Sequence, residues 1–422
     1  MNFKYKKFFV GCFLISIVVF GLTGCKEEQE KFSMEKAPSI PGGLGVSIHS
    51  NITDEDIQMI ADAGFKWVRI DIFWERVETK KGHYDFKNSG YDKLNKKLKD
   101  HNIKPYYILN YSNSLYEKDR SIVTDGGRTA FSEFVKATTK RYKNQGGIWE
   151  IWNEPNIALF WENQPSYEDY ARLVKVVAPI IKKQDPSGLV VAPAISTLNN
   201  NGLSWLNEVL DQNILNEIDA ISVHPYRLTS PETVVNDYRK LKKMIKLYTD
   251  KDIPIISSEW GYSMADRELP LTETQQAKYL TRMFLINLQE DIPVSIWYDW
   301  KNDGNDPDDK QHNYGITFND STQKLSYNAI QTLTTNLKEY TFSKTIKYGR
   351  ADNHILEFKN ADGKKALVFW TTGENYKLTY PLKSGSGKYY SMLGGMQRFK
   401  WEDEVKLNIS SSPSYLIIND KK

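Results

Sequence analysis

Short apolar runs alternate with amphipathic patterns along most of the chain. Eight runs have the length and composition of buried strands, at residues 43–49, 67–74, 105–111, 148–153, 189–196, 218–225, 254–259 and 294–300. The segments between them repeat apolar residues with the period of a helix, for example Tyr170, Leu173, Val174, Val177 and Ile181. Strands that alternate with helices indicate βα units. Eight such units predict an α/β fold, a (β/α)₈ TIM barrel over residues 43–338.

Two of the predicted strands place polar side chains on the face that points into the barrel. Arg69 and Asp71 share one side of the second strand, and His224 and Tyr226 share one side of the sixth. The catalytic mouth of such a barrel lies at the C-terminal ends of its strands. These residues therefore face substrate or belong to an interior polar network, and for Asp71 both interpretations remain open.

After a last helix near residues 324–338 the pattern changes to strands alone. Residues 355–358 and 366–370 flank the turn Asn360-Ala361-Asp362-Gly363, which predicts a β-hairpin. Residues 339–422 are therefore predicted to form a small antiparallel β-sandwich. We favour a structural role for this domain over sugar binding.

The N-terminus has the layout of an export signal. An apolar run at residues 8–22 is too short for a comfortable membrane span and is preceded by Lys4, Lys6 and Lys7. The run ends in Leu22-Thr23-Gly24-Cys25, which resembles the lipobox of bacterial lipoproteins. The resemblance implies a lipid on Cys25 and an extracytoplasmic protein anchored in the membrane. An uncleaved anchor or an ordinary signal is the alternative, and either would also export the chain.

This layout predicts a lipoprotein signal peptide at residues 1–24 and a charged tether at residues 25–42, with ordered structure from about Gly43. Loss of the signal removes three lysines and no acid, so the formal net charge falls from +3 to 0. A neutral chain gives no electrostatic case for nucleic acid. The two cysteines are Cys12 in the signal and the lipidated residue, which excludes a disulfide framework.

Two glutamates stand at the ends of predicted strands. Glu154 follows the fourth strand in "WEIWNEPN", and Glu259 ends the seventh in "IPIISSEWGYS". Both lie where a barrel keeps its active site. A neighbouring pair of carboxyl groups is what glycoside hydrolysis requires, because one protonates the leaving oxygen and the other attacks the anomeric carbon.

The motifs "WNEPN", "VHPY", "SEWGYS" and "WYDW" resemble those of the retaining glycoside hydrolases of clan A. "WEIWNEPN" and "YDWKNDGNDPDDKQHNYGI" are most similar to glycoside hydrolase family 39 and to related bacterial exopolysaccharide endoglycosidases of the Psl-degrading type. The resemblance covers about residues 43–338. It implies that Glu154 is the general acid/base and Glu259 the nucleophile, with carboxyl groups about 5 Å apart.

The resemblance also implies roles for the surrounding residues. Asn153 would bind the sugar hydroxyl beside the anomeric carbon, Arg69 would lie beneath Glu259, and Trp300 would provide a stacking floor. His224 and Tyr226 would contact Glu259 or orient it. His49 at the end of strand one, Tyr111 and Trp260 are further candidates for substrate binding, although each of them could be structural. The same holds for Trp161 and Tyr262. Glu150 is expected to be an interior structural partner.

The acidic stretch at residues 302–313 lacks the register of an EF-hand and resembles a long loop over the site, in which His312 could face substrate. No zinc-binding spacing or phosphate-binding glycine loop occurs, so no metal and no cofactor are predicted. We expect a monomer that hydrolyses β-linkages in an extracytoplasmic polysaccharide, within the chain of an exopolysaccharide or biofilm polymer. The alternatives are an exo-acting enzyme such as a β-xylosidase and a non-catalytic sugar-binding lipoprotein.

Overall fold

Eight parallel strands close in chain order into a barrel in the computed structural model, which describes residues 32, 34, 36 and 38–419. The strands are β1 (Leu44–Ser47), β2 (Trp67–Phe73), β3 (Lys104–Asn110), β4 (Ile148–Ile151), β5 (Leu189–Ile195), β6 (Ala220–Val223), β7 (Ile255–Trp260) and β8 (Ser295–Trp297). Strand β1 pairs with both β2 and β8, which closes the ring. The predicted TIM barrel is confirmed, and most of the strands are shorter than the apolar runs suggested.

Nine α-helices lie in the described part of the chain. They are α1 (Asp54–Asp62), α2 (Trp74–Val77), α3 (Tyr91–Asp100), α4 (Asp125–Tyr142), α5 (Tyr167–Gln184), α6 (Asn200–Asp211), α7 (Val234–Ile245), α8 (Glu273–Gln289) and α9 (Leu325–Asn336). Helices α1, α5 and α8 have side-chain caps, because Thr53, Ser166 and Thr272 each accept a hydrogen bond from the backbone N–H three residues later. No helix among these residues is long and apolar enough to cross a bilayer.

The N-terminal end of the barrel is filled by an apolar cluster around Trp67 and Tyr106. Met34 is buried in this cluster, and the ring of Phe32 packs edge-on against Trp67 at 5.2 Å between centroids. Ile40 is also buried. Packed structure therefore begins before Gly43, where the sequence pattern placed its start, because apolar side chains in the charged segment cover the barrel. The predicted signal peptide and Cys25 lie outside the described residues.

The C-terminal region consists of antiparallel strands. They are β9 (Thr341–Thr345), β10 (Asn353–Lys359), β11 (Lys365–Thr371), β12 (Tyr376–Pro381), β13 (Gly385–Tyr390), β14 (Met396–Trp401), β15 (Glu404–Ile409) and β16 (Ser414–Ile418). Six form a sheet in the order β14-β13-β16-β11-β10-β9, and β12 pairs with β15. Strands β10 and β11 form the predicted hairpin. Apolar residues of both sheets share one core, which includes Ile355, Leu367, Val405 and Leu407.

Candidate active site

Glu154 is held at the end of β4 by a backbone turn that few residues adopt without support. Trp152 and Glu154 have φ angles of 70° and 48°, in the left-handed region. Such residues cost of order 1–3 kcal/mol each and persist where the surroundings fix them. Here the Glu154 N–H donates to the carbonyl of Ala194 at 3.1 Å, and the Trp152 indole donates to the carbonyl of Phe160 at 3.0 Å. Trp152 of "WEIWNEPN" thus supports the turn directly, whereas Trp149 is buried elsewhere and donates from its indole to Asp185 at 2.9 Å.

Glu259 receives a hydrogen bond on each of its two carboxylate oxygens. The Tyr226 hydroxyl donates to Oε1 at 2.9 Å, and the Arg69 guanidinium donates to Oε2. The side chain is 14% exposed, so one edge of the carboxylate still faces the cleft. The two donors fix the orientation of the carboxylate, as a nucleophile requires.

The two carboxyl groups are neighbours across the barrel mouth. Oxygen atoms of Glu154 and Glu259 and a ring nitrogen of His224 all lie within 4.8 Å of one another. Retaining glycosidases hold their carboxyl groups about 5 Å apart, whereas inverting enzymes leave roughly 6.5–9.5 Å for a water molecule. The separation therefore fits hydrolysis with retention of the anomeric configuration, as the sequence predicted.

His224 is buried beneath the pair, and its main partner is Glu154 rather than Glu259. Its Nδ1 lies 2.7 Å from Oε1 of Glu154 and 4.0 Å from Oε1 of Glu259. Its Nε2 lies 3.2 Å from an Arg69 nitrogen, which can only donate. Nε2 must therefore accept, so the proton of the neutral ring lies on Nδ1 and points to Glu154.

The electrostatics favour opposite roles for the two glutamates. Burial raises the pKa of Glu154 to about 7, opposed by the charge of Arg69 and assisted by that of Glu150. Burial lowers the pKa of His224 to about 4, so this ring is neutral at neutral pH. Glu154 can therefore carry a proton near neutrality and donate it, while Glu259 accepts hydrogen bonds on both carboxylate oxygens.

Arg69 organises the floor of the site. Its guanidinium donates to Glu150 from two nitrogens, at 3.0 and 2.7 Å, and to Oδ1 of Asn153 at 2.8 Å. Tyr106 donates to the other oxygen of Glu150 at 2.7 Å. Glu150 is thus an interior structural partner, and Asn153 is oriented so that its NH₂ group faces Tyr111, 3.3 Å from that hydroxyl.

A cleft of about 900 Å³ opens over these residues. Seven predicted site residues line it, namely His49, Arg69, Tyr111, Asn153, Glu154, Tyr226 and Glu259. Asp71 also lines it, and one of its oxygens accepts a hydrogen bond from Asn110. The structure therefore resolves the open question about Asp71 in favour of the cleft.

Besides His224, which was also predicted to bind substrate but is fully buried, two predicted substrate contacts are not in the cleft. Trp300 is 1% exposed and donates from its indole to Asp56 at 3.0 Å, which makes it part of the packing against α1. Trp260 is equally buried and donates to Ser295 at 2.9 Å, between the barrel and α8. Successive residues of a strand face opposite sides, so the neighbour of inward-facing Glu259 must point outward. Both are corrections to the sequence-based assignment.

Three further aromatic or histidine candidates also lie elsewhere. Trp161 is fully buried in the core, and Tyr262 is buried with its hydroxyl bonded to the carbonyl of Thr229 at 2.9 Å. His312 accepts a backbone hydrogen bond from Asp306 within its own loop, at 3.3 Å. Lys310 and Gln311 of that loop line the cleft instead.

The structure adds a charged group at the β8 and β1 side of the cleft. His49 Nε2 lies 3.3 Å from Asp299 and 3.6 Å from Asp303, and Tyr298 lines the cleft beside it. Burial lowers the pKa of His49, but the hydrogen bond and charge of Asp299 and the charge of Asp303 more than offset this and raise it to about 9. Burial raises the pKa of Asp299 to about 6.

The charged group could have been suspected from "WYDWKND", which supplies Asp299 and Asp303 after the eighth strand. His49, Asp299 and Asp303 also present donor atoms within 4.8 Å of one another, as do Glu154, His224 and Glu259. These are the two groups in the described part of the chain that could hold a metal ion. The prediction that the protein uses no metal stays a prediction.

The family model described as cellulase (glycosyl hydrolase family 5) matches residues 25–304. The chain belongs to this family. Its barrel is a glycoside hydrolase domain of clan A, which confirms the resemblance to that clan. Among curated proteins, a β-xylosidase from Geobacillus stearothermophilus is 23% identical over 155 residues, which are 32% of this chain and 30% of that protein. The chain spans less than a third of the length of the curated relatives it matches.

Solved structures extend the likeness to 92% of the chain. A family 39 glycoside hydrolase from Bacteroides cellulosilyticus WH2 superimposes with a TM-score of 0.77 and 25% identity, covering 92% of this chain and 82% of that one. A family 30 endoxylanase from Clostridium papyrosolvens C71 gives a TM-score of 0.65 at 14% identity, with 92% and 98% covered. The second comparison shows the fold alone.

Proposed function

We propose that the protein is a retaining hydrolase that cleaves β-linkages within an extracytoplasmic polysaccharide. The observation that carries the proposal is the pair Glu154 and Glu259, whose oxygens lie within 4.8 Å in opposite environments. Protonated Glu154 gives its proton to the glycosidic oxygen while Glu259 attacks the anomeric carbon and forms a glycosyl ester. Ionised Glu154 then takes a proton from water, which attacks the ester and releases a sugar of retained configuration.

Asn153 completes the reacting centre. Its carbonyl oxygen is used by Arg69, and its NH₂ group carries two N–H donors. One of them faces Tyr111, which leaves the other for the sugar hydroxyl next to the anomeric carbon. Hydrogen bonds to that hydroxyl strengthen in the oxocarbenium-like transition state, so Asn153 would act on the rate more than on ground-state binding.

The size of the cleft supports cleavage within a chain. Its volume of about 900 Å³ is at the upper end for small-molecule sites and leaves room for more than one sugar. A neighbouring cavity of about 290 Å³ shares Tyr226, Lys310 and Tyr314 with it. An exo-acting β-xylosidase is the second candidate, because a curated relative bears that name.

The place of action rests on the N-terminal pattern. The apolar run, the lysines before it and the lipobox-like Leu22-Thr23-Gly24-Cys25 support export and a lipid anchor. An exported glycosidase meets polymers of the cell envelope, and the exopolysaccharide of the producing cell is the substrate we propose. A non-catalytic sugar-binding lipoprotein would bind sugar in the same cleft, but Glu154 would not donate a proton and Glu259 would not attack the sugar.

The test uses soluble residues 26–422 on a panel of β-linked polysaccharides that includes exopolysaccharide from the producing strain. New reducing ends and product sizes are followed for wild type and for Glu259→Gln. Oligosaccharides from wild type alone are expected. Monosaccharides alone would support the exo-acting candidate, and tight binding without cleavage would support the non-catalytic one. Metabolic labelling of intact cells with a radioactive fatty acid, with Cys25→Ser as the control, tests the anchor.

A further inference from the structure

The end of the barrel opposite the catalytic mouth is closed by the segment that precedes β1. Met34 is buried there, in an apolar cluster to which strands β2 to β8 all contribute. The ring of Phe32 packs edge-on against Trp67 at 5.2 Å, and the Lys104 ammonium lies over both rings, 5.0 and 5.4 Å from their centres. Because Trp67 and Lys104 begin β2 and β3, this contact lies at the N-terminal ends of the strands, whereas the two catalytic glutamates lie at the C-terminal ends.

The same segment is held a second time just before β1. Ile40 is buried, its N–H donates to the carbonyl of Tyr340 at 2.8 Å, and its carbonyl accepts from the N–H of Glu339 at 2.8 Å. Glu339 and Tyr340 follow α9, so this contact joins the segment to the end of the barrel. Phe32, Met34 and Ile40 are therefore fixed on the barrel and do not belong to a free spacer.

The chain that remains between the barrel and the proposed lipid is short. Six residues, 26–31, separate Phe32 from Cys25. A chain spans at most about 3.6 Å per residue, so the seven steps from Cys25 to Phe32 reach no farther than about 25 Å.

This reach is no greater than the height of the barrel. Helices α4 and α5 each contain 18 residues and run from the mouth to the closed end. At 1.5 Å per residue they are about 27 Å long, and the loops at the mouth extend beyond them. Even when fully extended, the chain from Phe32 to Cys25 therefore cannot bring the mouth against a membrane that holds the lipid.

We propose that Phe32, Met34 and Ile40 orient the protein on the membrane, with the closed end of the barrel toward the bilayer and the catalytic cleft facing away from it. The partner of the closed end is the lipid surface that holds the chain's own anchor. This inference rests on the lipid anchor of the proposed function and does not depend on which bond is cleaved. It predicts that the substrate is polymer lying outside the bilayer surface, and not a chain still attached to a membrane lipid.

The test labels single cysteines on the lipidated full chain in phospholipid vesicles. The chain after the signal has no cysteine besides Cys25, so an introduced thiol is the one that reacts with a fluorescent maleimide. Lys143→Cys and Lys251→Cys place the dye on exposed loops at the closed end, and Lys118→Cys and Asp308→Cys place it on exposed loops around the cleft. The vesicles contain a phospholipid with a spin-labelled headgroup, which quenches dyes close to the bilayer surface. We expect quenching to be several-fold greater at the two closed-end positions than at the two cleft positions.

A second variant removes the contact of the segment with the barrel and leaves the anchor in place. Phe32→Ser with Met34→Ser lengthens the free chain, so the cleft positions should gain quenching until the two ends differ little. Leu247→Ser is the matched control, since it removes an exposed apolar side chain at the same end of the barrel and should change nothing. Turnover of a soluble substrate should stay at the wild-type level in both, and a thermal melt shows that each is folded at the assay temperature.

The outcomes separate this inference from the function beneath it. Equal quenching at both ends of the wild type, or stronger quenching at the cleft, would overturn the orientation and leave the anchor intact. Unchanged quenching after Phe32→Ser with Met34→Ser would overturn the role of this contact. If neither end were quenched, as expected for Cys25→Ser, the anchor would fail and the inference with it. Hydrolysis is measured separately on soluble residues 26–422, so a failure of the proposed activity is distinguishable from a failure of the orientation.

Discussion

His224 donates a hydrogen bond from Nδ1 to Oε1 of Glu154 across 2.7 Å, and Arg69 fixes its direction by occupying the other ring nitrogen. The protonation state of the acid/base is therefore set by two opposed effects. Burial raises its pKa to about 7 against the charge of Arg69, and the hydrogen bond from His224 also favours the ionised form. Loss of that hydrogen bond should therefore raise the pKa of Glu154 further.

Replacement of His224 by phenylalanine should shift the pH dependence of the reaction. Without the donor, the pKa of Glu154 rises above its value of about 7. A hydrogen bond to a charged group contributes about 1.5–3 kcal/mol, which corresponds to roughly one to two pH units. The alkaline limb of kcat/KM, where Glu154 loses its proton, should move to higher pH by about that amount. An unchanged or lowered limb would contradict the assignment, and His83→Phe at the surface is the control.

Replacement of Glu154 by alanine should slow cleavage of sugars with poor leaving groups. General acid catalysis contributes typically 10²–10⁴-fold, and that factor should be lost from kcat on a disaccharide. Addition of azide should restore turnover of an activated aryl glycoside and yield a β-glycosyl azide, because the anion replaces the water that Glu154 activates. The control is Glu133→Ala on the exposed face of α4. An α-azide product would show that the configuration is not retained.

Replacement of Trp300 by phenylalanine should affect stability rather than substrate binding. The change removes the indole donor of buried Asp56, at an expected cost of about 1–3 kcal/mol in the free energy of unfolding. Urea denaturation measures this loss, and KM for the substrate should stay within about twofold. A large rise in KM with unchanged stability would restore Trp300 as a sugar platform. Tyr298→Ala is the comparison, because Tyr298 lines the cleft and its loss should raise KM.

His49 should make the stability of the protein depend on alkaline pH. Its pKa is raised from 6.5 to about 9 in the folded state, so its pairing with Asp299 and Asp303 stabilises the fold fully below pH 6.5. That contribution is lost as the pH rises toward and through 9. The difference in unfolding free energy between wild type and His49→Asn should therefore shrink between pH 6.5 and 9.5. A constant difference over this range would contradict the charged state assigned to His49.

The fold could be predicted almost completely from the alternation of strands and helices. Most strands of the barrel are buried on both faces and therefore form largely apolar runs, and helix starts such as Thr53 and Thr272 carry local capping signals. The packing of Phe32 and Met34 under the barrel could not be predicted, because two apolar residues in a charged segment carry no periodic signal.

The chemistry of the site was predictable where it lay in short motifs, and less so where it depended on side-chain direction. Glu154, Glu259 and Arg69 come together as the strand ends required. Trp260 could have been excluded by the alternation of side chains along β7. Trp300 could not, because β8 ends at Trp297 and the alternation does not continue into the following loop. The sequence could not predict which glutamate His224 bonds to either, since this depends on distances across the barrel.

The measurement that tests the catalytic pair most directly is the capture of the glycosyl-enzyme. The protein is incubated with the 2-deoxy-2-fluoro-β-glycosyl fluorides of glucose and xylose, digested, and examined by peptide mass spectrometry. We predict a single adduct on the peptide that contains Glu259, and none in Glu259→Gln. An adduct on a different carboxylate, or hydrolysis of a substrate to the inverted anomer without any adduct, would contradict the retaining mechanism assigned to Glu154 and Glu259.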